Sequence, residues 1–327
     1  MRPRLGFLGV GWIGRNRMQA IAEAHVADIV AVADADDAAA AAAAAEADAA
    51  VAEPGCLLDG QVPLDGVVIA TPSAVHAEQA TRAMGHGMAV FCQKPLGRTS
   101  GECASVVEAA RRADRLLAVD LSYRHVAGVA RMREIISRGD IGDVYAGSLV
   151  FHNAYGPDKA WFTDPAQAGG GCVIDLGIHL VDLALWLLGG PKVEHVDARL
   201  FSEGLPLGAD PAICEDHALA RLDLATGASL DLTCSWFLHA GIDADIGVTL
   251  YGTTGAVALR NVGGSFYDFQ VELHRGTSRE VLAEPPDAWG GRAAVAWVER
   301  LAGDPSFDPA VSELVDVAAV LDRIYGR

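Results

Sequence analysis

A strand that runs straight into a glycine turn and out into a helix leaves few choices of fold, and this chain opens with one. Residues 4–10 read Arg-Leu-Gly-Phe-Leu-Gly-Val, apolar enough for a buried strand. The turn Gly9-Val-Gly11-Trp12-Ile13-Gly14 follows, and a helix is predicted over about 15–25. A second apolar run, 29–34, ends in Asp34, twenty residues beyond Gly14. Spacing of this kind marks a dinucleotide-binding βαβ unit. Its glycines allow a tight turn, close approach of backbone to a pyrophosphate, and close packing of helix on strand. The helix N-terminus offers unpaired N–H groups to the phosphates.

The same rhythm continues downstream. Strands are predicted at 66–70, 89–92 and 116–121, with helices at 36–50, 76–86 and 100–113. Alternating strands and helices predict a doubly wound parallel sheet. The rhythm changes near residue 122. Helices are expected at 127–138 and 172–188, the second stopped by Gly189-Gly190-Pro191. Period-2 runs then follow at 193–201, 217–224, 228–236, 246–251, 256–260 and 269–274, which predict a mostly antiparallel sheet. Helices at 291–302 and 309–325 close the chain. A chain of 327 residues is long for one core. The expected fold class is therefore α/β, with a Rossmann domain over 1–122 and an α/β domain over 123–327.

Composition excludes some partners. The net charge of -18 argues against nucleic acid, which needs clustered Lys and Arg. No apolar run is expected to span a membrane, and the N-terminus enters a strand at once, with no signal peptide expected. Six cysteines lack the spacing of a disulfide framework or a zinc site. A cytoplasmic setting and no metal are the expectations.

Two further fragments carry chemistry. Of 25 basic residues only Lys94, Lys159 and Lys192 are lysine. In a chain biased toward arginine, a lysine marks a place where a proton must be tuned, because arginine does not release one. Lys94 lies in Gln93-Lys94-Pro95 at the C-terminal end of a predicted central strand, where open parallel sheets bind ligands. The second fragment is 171–182, Gly-Cys-Val-Ile-Asp-Leu-Gly-Ile-His-Leu-Val-Asp. On a regular helix Asp175, His179 and Asp182 share one face. Two carboxylates flanking an imidazole can hold and move a proton, although Asp182 also suits a buried structural role. Asp34 favours NAD over NADP, since a carboxylate accepts from the ribose 2′-hydroxyl and repels a 2′-phosphate.

Taken in order, Gly9 to Gly14, Ala70-Thr71-Pro72 with His76, Gln93-Lys94-Pro95, Tyr123-Arg124, Gly139 to Gly142, and Gly169 to Asp182 through Gly189 resemble the Gfo/Idh/MocA family of oxidoreductases. The resemblance implies interconversion of a hydroxyl and a ketone on a sugar, inositol or related polyol, and association as homodimers or homotetramers. It implies a catalytic set of Lys94, Asp175 and His179. It places Thr71, Pro72, His76, Gln93 and Lys94 with the glycine turn and Asp34 at the cofactor. Tyr123, Arg124, His152, Asn153 and Trp161, with Asp175 and His179, are the expected substrate contacts. The chain departs from the family pattern at Gln93, where glutamate is usual, so a carboxylate beside Lys94 is lost. A redox-neutral NAD-dependent glycosidase and a non-enzymatic NAD-binding regulator are the alternatives on the same fold.

Overall fold

The computed structural model describes residues 2–208 and 213–327. The chain forms two compact units. One comprises the chain up to Ser122 together with Gly290–Val315, and the other comprises Tyr123–Trp289 with Asp316–Arg327.

The first unit is built on six strands: β1 (Arg4–Leu8), β2 (Asp28–Ala33), β3 (Ala50–Val51), β4 (Gly66–Ile69), β5 (Ala89–Cys92) and β6 (Leu117–Val119). Their order is β3-β2-β1-β4-β5-β6, and every neighbouring pair is parallel. This is the order of a doubly wound dinucleotide-binding sheet. Strands β4 and β5 are buried along their whole length, as covering on both faces requires. The helices are α1 (Trp12–Ala24), α2 (Asp37–Ala47), α3 (Pro54–Leu58), α4 (His76–Gly85) and α5 (Ser100–Ala113). Helix α2 is mostly alanine. Its N-cap Asp36 accepts from Ala38 N (2.9 Å) and Ala39 N (3.2 Å), which fixes where it begins.

The second unit adds α6 (Val129–Ser137), α7 (Pro165–Ala168), α8 (Ile178–Leu187) and nine strands. These are β7 (Val144–Asn153), β8 (Val193–Ser202), β9 (Leu205–Pro206), β10 (His217–Leu224), β11 (Ser229–Ser235), β12 (Ala244–Gly252), β13 (Ala256–Asn261), β14 (Phe269–Arg275) and β15 (Ser278–Ala283). Their order is β15-β14-β13-β12-β7-β11-β10-β8-β9. All neighbours are antiparallel except β7 and β11. Burial alternates along β10, so one face packs on helices and the other stays open.

Several expectations are corrected. Strand β7 lies in the middle of the second sheet, yet no strand was expected at 144–153. Residues 290–315, expected in the second domain, belong to the first unit. There α9 (Arg292–Gly303) buries Ala293, Ala294, Trp297, Val298 and Leu301, and the Trp297 ring meets Phe91 of β5 at 5.6 Å. Each large apolar side chain so buried contributes roughly 1.5–3 kcal/mol. Only the last helix, α10 (Glu313–Ile324), returns, with Val317, Val320 and Leu321 in the core of the second unit. The stretch Pro165–Leu187 is long and apolar enough to cross a bilayer, where none was expected; 83% of its most apolar window is buried, the pattern of a core helix.

Candidate functional site

The glycine turn is built for close approach. Gly9 has φ +86°, and a Cβ there would lie 2.6 Å from the Ala70 carbonyl carbon and oxygen. A Cβ on Gly14 would strike the Gly9 carbonyl oxygen. Gly11 is the N-cap of α1 and supplies no capping side chain, and a helix N-terminus of this kind suits an anionic ligand. Trp12 is exposed and Ile13 half-buried beside them. Asp34 is held in place by Val10 N (2.6 Å) and Asp36 N (3.0 Å), one on each carboxylate oxygen. An ionised carboxylate has about four acceptor positions, so two remain for ribose hydroxyls. Arg15, the arginine next to the glycine turn, pairs with Glu46 at 2.9 Å. These residues fit a dinucleotide: a close backbone turn, a helix N-terminus with no side-chain cap, and a fixed acceptor.

Lys94 is half-buried just beyond β5. The residues around it turn inward. Gln93 Nε2 donates to Asp120 Oδ2, which also accepts from Arg17 Nε at 2.5 Å. The lost carboxylate thus has a counterpart one strand away. His76 is 1% exposed. Its Nδ1 lies 2.7 Å from the Pro95 carbonyl oxygen and its Nε2 lies 2.7 Å from that of Thr71. Burial holds its pKa down, and the neighbouring Lys94 charge adds to this. The His76 ring thus sits between the ends of β4 and β5, and as a neutral imidazole it donates to one of these two carbonyls. Thr71 Oγ1 donates to Gln79 Oε1 at 2.6 Å, and Pro72 is exposed at the start of the following turn.

In the second unit the segment expected as one regular helix begins as a π-turn, Val173–Gly177, before α8. The wider turn rotates its residues relative to those that follow. Across 171–185 every residue is buried except Asp175 and His179, which are half-buried. Trp236 Nε1 donates to Asp175 Oδ2 at 3.1 Å. The Tyr123 ring lies 5.0 Å from the His179 ring and packs on Phe151, Phe269 and Trp289 as well. Burial pushes the Tyr123 hydroxyl far above its usual range, so it remains a neutral phenol.

The N-terminus of the π-turn rests on Glu215, 1% exposed. Its carboxylate accepts from Gly171 N (2.9 Å), Val173 N (2.8 Å) and the Tyr325 hydroxyl (2.8 Å). Burial pushes this carboxyl up, against the donors that pull it down. Any side chain on Gly171 would collide with the Glu215 carbonyl oxygen.

The other expected contacts divide. Asp182 does not join Asp175 and His179; it is buried in a bidentate pair with Arg124, Nε to Oδ2 being 2.9 Å. The Arg124 guanidinium also lies over the Trp186 ring, 5.5 Å from its centroid. Phe151 packs on His179 at 6.3 Å. His152, the next residue on β7, is on the opposite face, with Nδ1 2.7 Å from Ser235 Oγ. It is not brought to His179. Asn153 shares the Phe151 face, and its Oδ1 is buried with no hydrogen-bond partner among the described residues. Trp161 stacks on Phe162 at 3.8 Å. Sequence reasoning missed Asp120, Glu215 and Trp236. Only Asp120, an acid at the end of a parallel strand, carried a local signal.

Two family models match the chain. An oxidoreductase-family NAD-binding Rossmann model covers residues 4–121, and a GFO/IDH/MocA C-terminal-domain model covers 129–258. Inositol 2-dehydrogenase 2 of Saccharopolyspora erythraea is 32% identical over 79% of this chain and 74% of its own length. Inositol 2-dehydrogenase 3 of the same organism is 29% identical over 90% of this chain and 91% of its own. Among solved structures, levoglucosan dehydrogenase in complex with NADH and levoglucosan has a similar fold, with a TM-score of 0.84 at 22% identity over 99% of this chain and 96% of that one. With a dinucleotide turn in one unit and a half-buried acid and imidazole on an otherwise buried helical segment in the other, and with both models matched, the chain belongs to the Gfo/Idh/MocA family of NAD-binding oxidoreductases.

Proposed function

We propose that the protein interconverts a secondary hydroxyl and a ketone on a sugar, inositol or related polyol, using NAD in preference to NADP. The observation that carries this reading is that Asp175 and His179 alone break the burial of residues 171–185. A helix buried on all sides that opens only at an acid and a base is arranged for proton work. Bound NAD supplies the hydride acceptor or donor. His179 takes the hydroxyl proton in oxidation and returns it in reduction. Lys94 donates a hydrogen bond to the same oxygen and stabilises the charge that develops there. Asp175, aimed by Trp236, orients the lysine or accepts from a neighbouring hydroxyl. Tyr123 walls the imidazole with apolar ring surface, and the open acceptor on Asn153 suits a substrate hydroxyl. The relatives named inositol 2-dehydrogenase and levoglucosan dehydrogenase support a polyol or sugar. The fixed Asp34 carboxylate and the pairing of Arg15 support NAD.

Homo-oligomers form part of the same proposal. The open face of the second sheet carries exposed Leu219 and Tyr251, and light scattering decides whether the chain is a dimer, a tetramer or neither.

The test is absorbance at 340 nm. Protein and NAD are run against inositols, aldoses, anhydrosugars and glycosides, and protein and NADH against keto sugars. Turnover with NAD and a weaker response to NADP are expected. A flat record across the panel from protein that binds NADH would favour a redox-neutral or non-enzymatic role.

A further inference from the structure

Lys94 is bracketed. On its C-terminal side, the Pro95 carbonyl is held by His76. On its N-terminal side, Gln93 joins Asp120, Arg17 and Ser122 in a buried cluster. Asp120, 2% exposed, accepts on Oδ2 from Gln93 Nε2 and from Arg17 Nε, and on Oδ1 from the Ser122 hydroxyl. Arg17, 6% exposed, also donates through Nη2 to Ser122 Oγ at 3.2 Å. The backbone is fixed in the same place: Gln93 N donates to Ile69 O (2.8 Å) and Asp120 N donates to Cys92 O (2.9 Å).

A buried ion pair is weak evidence for stability, because well-packed apolar side chains do as well or better. The placement of this one calls for another reason. It sits at the C-terminal ends of β5 and β6, where parallel sheets bind ligands. It grips the residue next to Lys94, and its cation comes from α1, the helix that opens on the glycine turn. Arg17 has one negative partner here, and the remaining contacts of Asp120 are neutral donors. Position 93 must therefore supply a donor. Glutamine does so, whereas glutamate would set two carboxylates in contact.

We propose that Asp120 is the positioning residue for Lys94, acting through Gln93, and that Arg17 ties this setting to the helix of the dinucleotide turn. The inference rests on the reading of Lys94 as the group at the reacting oxygen. It makes positions 93 and 120 a donor–acceptor pair whose direction can be reversed. Gln93→Glu with Asp120→Asn keeps one carboxylate, one amide and the charge opposite Arg17.

The experiment measures kcat, KM and their pH dependence on the best substrate of the panel, with NADH affinity and melting temperature alongside. Gln93→Glu alone is expected to lower kcat about 100-fold, the scale of a misplacement near 1 Å. It should also add an ionisation to the kcat profile, with activity recovering toward low pH as the two carboxylates share a proton. The other ionisable groups facing the cluster are Arg17 from α1 and Lys94 and Cys92 from the β5 side. Burial pushes the Cys92 thiol up, with Cys103 and Asp120 adding to it, so the new ionisation belongs to the acid pair. The double variant should regain most of the lost kcat and the original profile. If the single variants fold poorly, Ser122→Ala removes only the hydroxyl on Oδ1; a several-fold loss of kcat at unchanged NADH affinity is expected. A Gln93→Glu protein with wild-type kcat and pH profile, or a folded double variant no better than Gln93→Glu, overturns the positioning role. Lys94→Ala is measured in the same series. If it keeps wild-type turnover, the functional reading falls and this inference with it; if it is inactive while the pair variants behave as wild type, only this inference falls.

Discussion

At the scale of single residues, neighbours in one helical segment have separate tasks, and substitution should separate them. Asp175 is half-buried and accepts from the Trp236 indole, whereas Asp182 is buried and shares a bidentate pair with Arg124. Removing one partner of a buried pair costs roughly 3–5 kcal/mol. Asp182→Asn should therefore lower the denaturation midpoint sharply, while Asp175→Asn should leave it near wild type and lose turnover. Chemical denaturation and steady-state rates on the two proteins check this; equal losses of stability would contradict it. Trp236→Phe removes the donor to Asp175 and keeps most of the ring. A hydrogen bond to a charged group is worth about 1.5–3 kcal/mol, so a fall in kcat of roughly tenfold or more is expected, with little change in NADH affinity. The residues that sequence could name were those with short-range neighbours: Gly9, Lys94, Asp175 and His179. Asp120 had only its place at a strand end to mark it, and Glu215 had no local mark, because the partners that define their roles lie far away in the chain. Arg17 is 103 positions from Asp120, and Tyr325 is 110 from Glu215.

At the scale of elements, α1 and the π-turn that precedes α8 each have near their N-terminus a glycine with no room for a side chain. Gly14→Ala puts a methyl group against the Gly9 carbonyl, and Gly171→Ala puts one against the Glu215 carbonyl. Overpacking of this kind costs about 1–3 kcal/mol. The two variants should fail differently. Gly14→Ala is expected to weaken NADH binding tenfold or more. Gly171→Ala is expected to keep NADH binding and lose turnover, because it displaces the turn that carries Asp175. Fluorescence titration with NADH, run beside the rates, distinguishes them; loss of NADH affinity in Gly171→Ala would count against the account. The regular helices and the buried parallel strands could be read from periodicity and alanine content. The π-turn could not, since no side-chain pattern distinguishes it from a regular turn. Strand β7 was hidden for another reason. Its sequence, Val-Tyr-Ala-Gly-Ser-Leu-Val-Phe-His-Asn, mixes small and polar residues with apolar ones. Its apolar side chains fill one face only from Leu149 onward.

At the scale of the whole molecule, the fold class followed from the change of rhythm near residue 122, but the path of the chain did not. An amphipathic helix such as α9 records that it covers a sheet and not which one, so its return to the first unit is visible only in packing. The molecule also carries an acid sensitivity. His76, His152 and His217 are all held below the ordinary histidine value of 6.5, burial being the first cause for each. The unfolded chain takes up these protons near pH 6.5 and the folded one only at lower pH. Their contribution to stability is therefore complete above 6.5 and is lost as pH falls through the depressed values. Denaturant midpoints should drop on going below pH 6.5, and His217→Gln should flatten the slope. A midpoint that rises in that window would contradict this.

The measurement that bears most directly on the central claim is kcat with the best polyol and NAD for wild type, Lys94→Ala and His179→Ala, with NADH affinity determined on the same preparations. Loss of proton transfer from a positioned side chain costs about 10²–10⁴ in rate. Both variants are predicted to fall in that range while binding NADH as the wild type does. Turnover within a few-fold of wild type in either variant would contradict the assignment of lysine and histidine to the reacting oxygen.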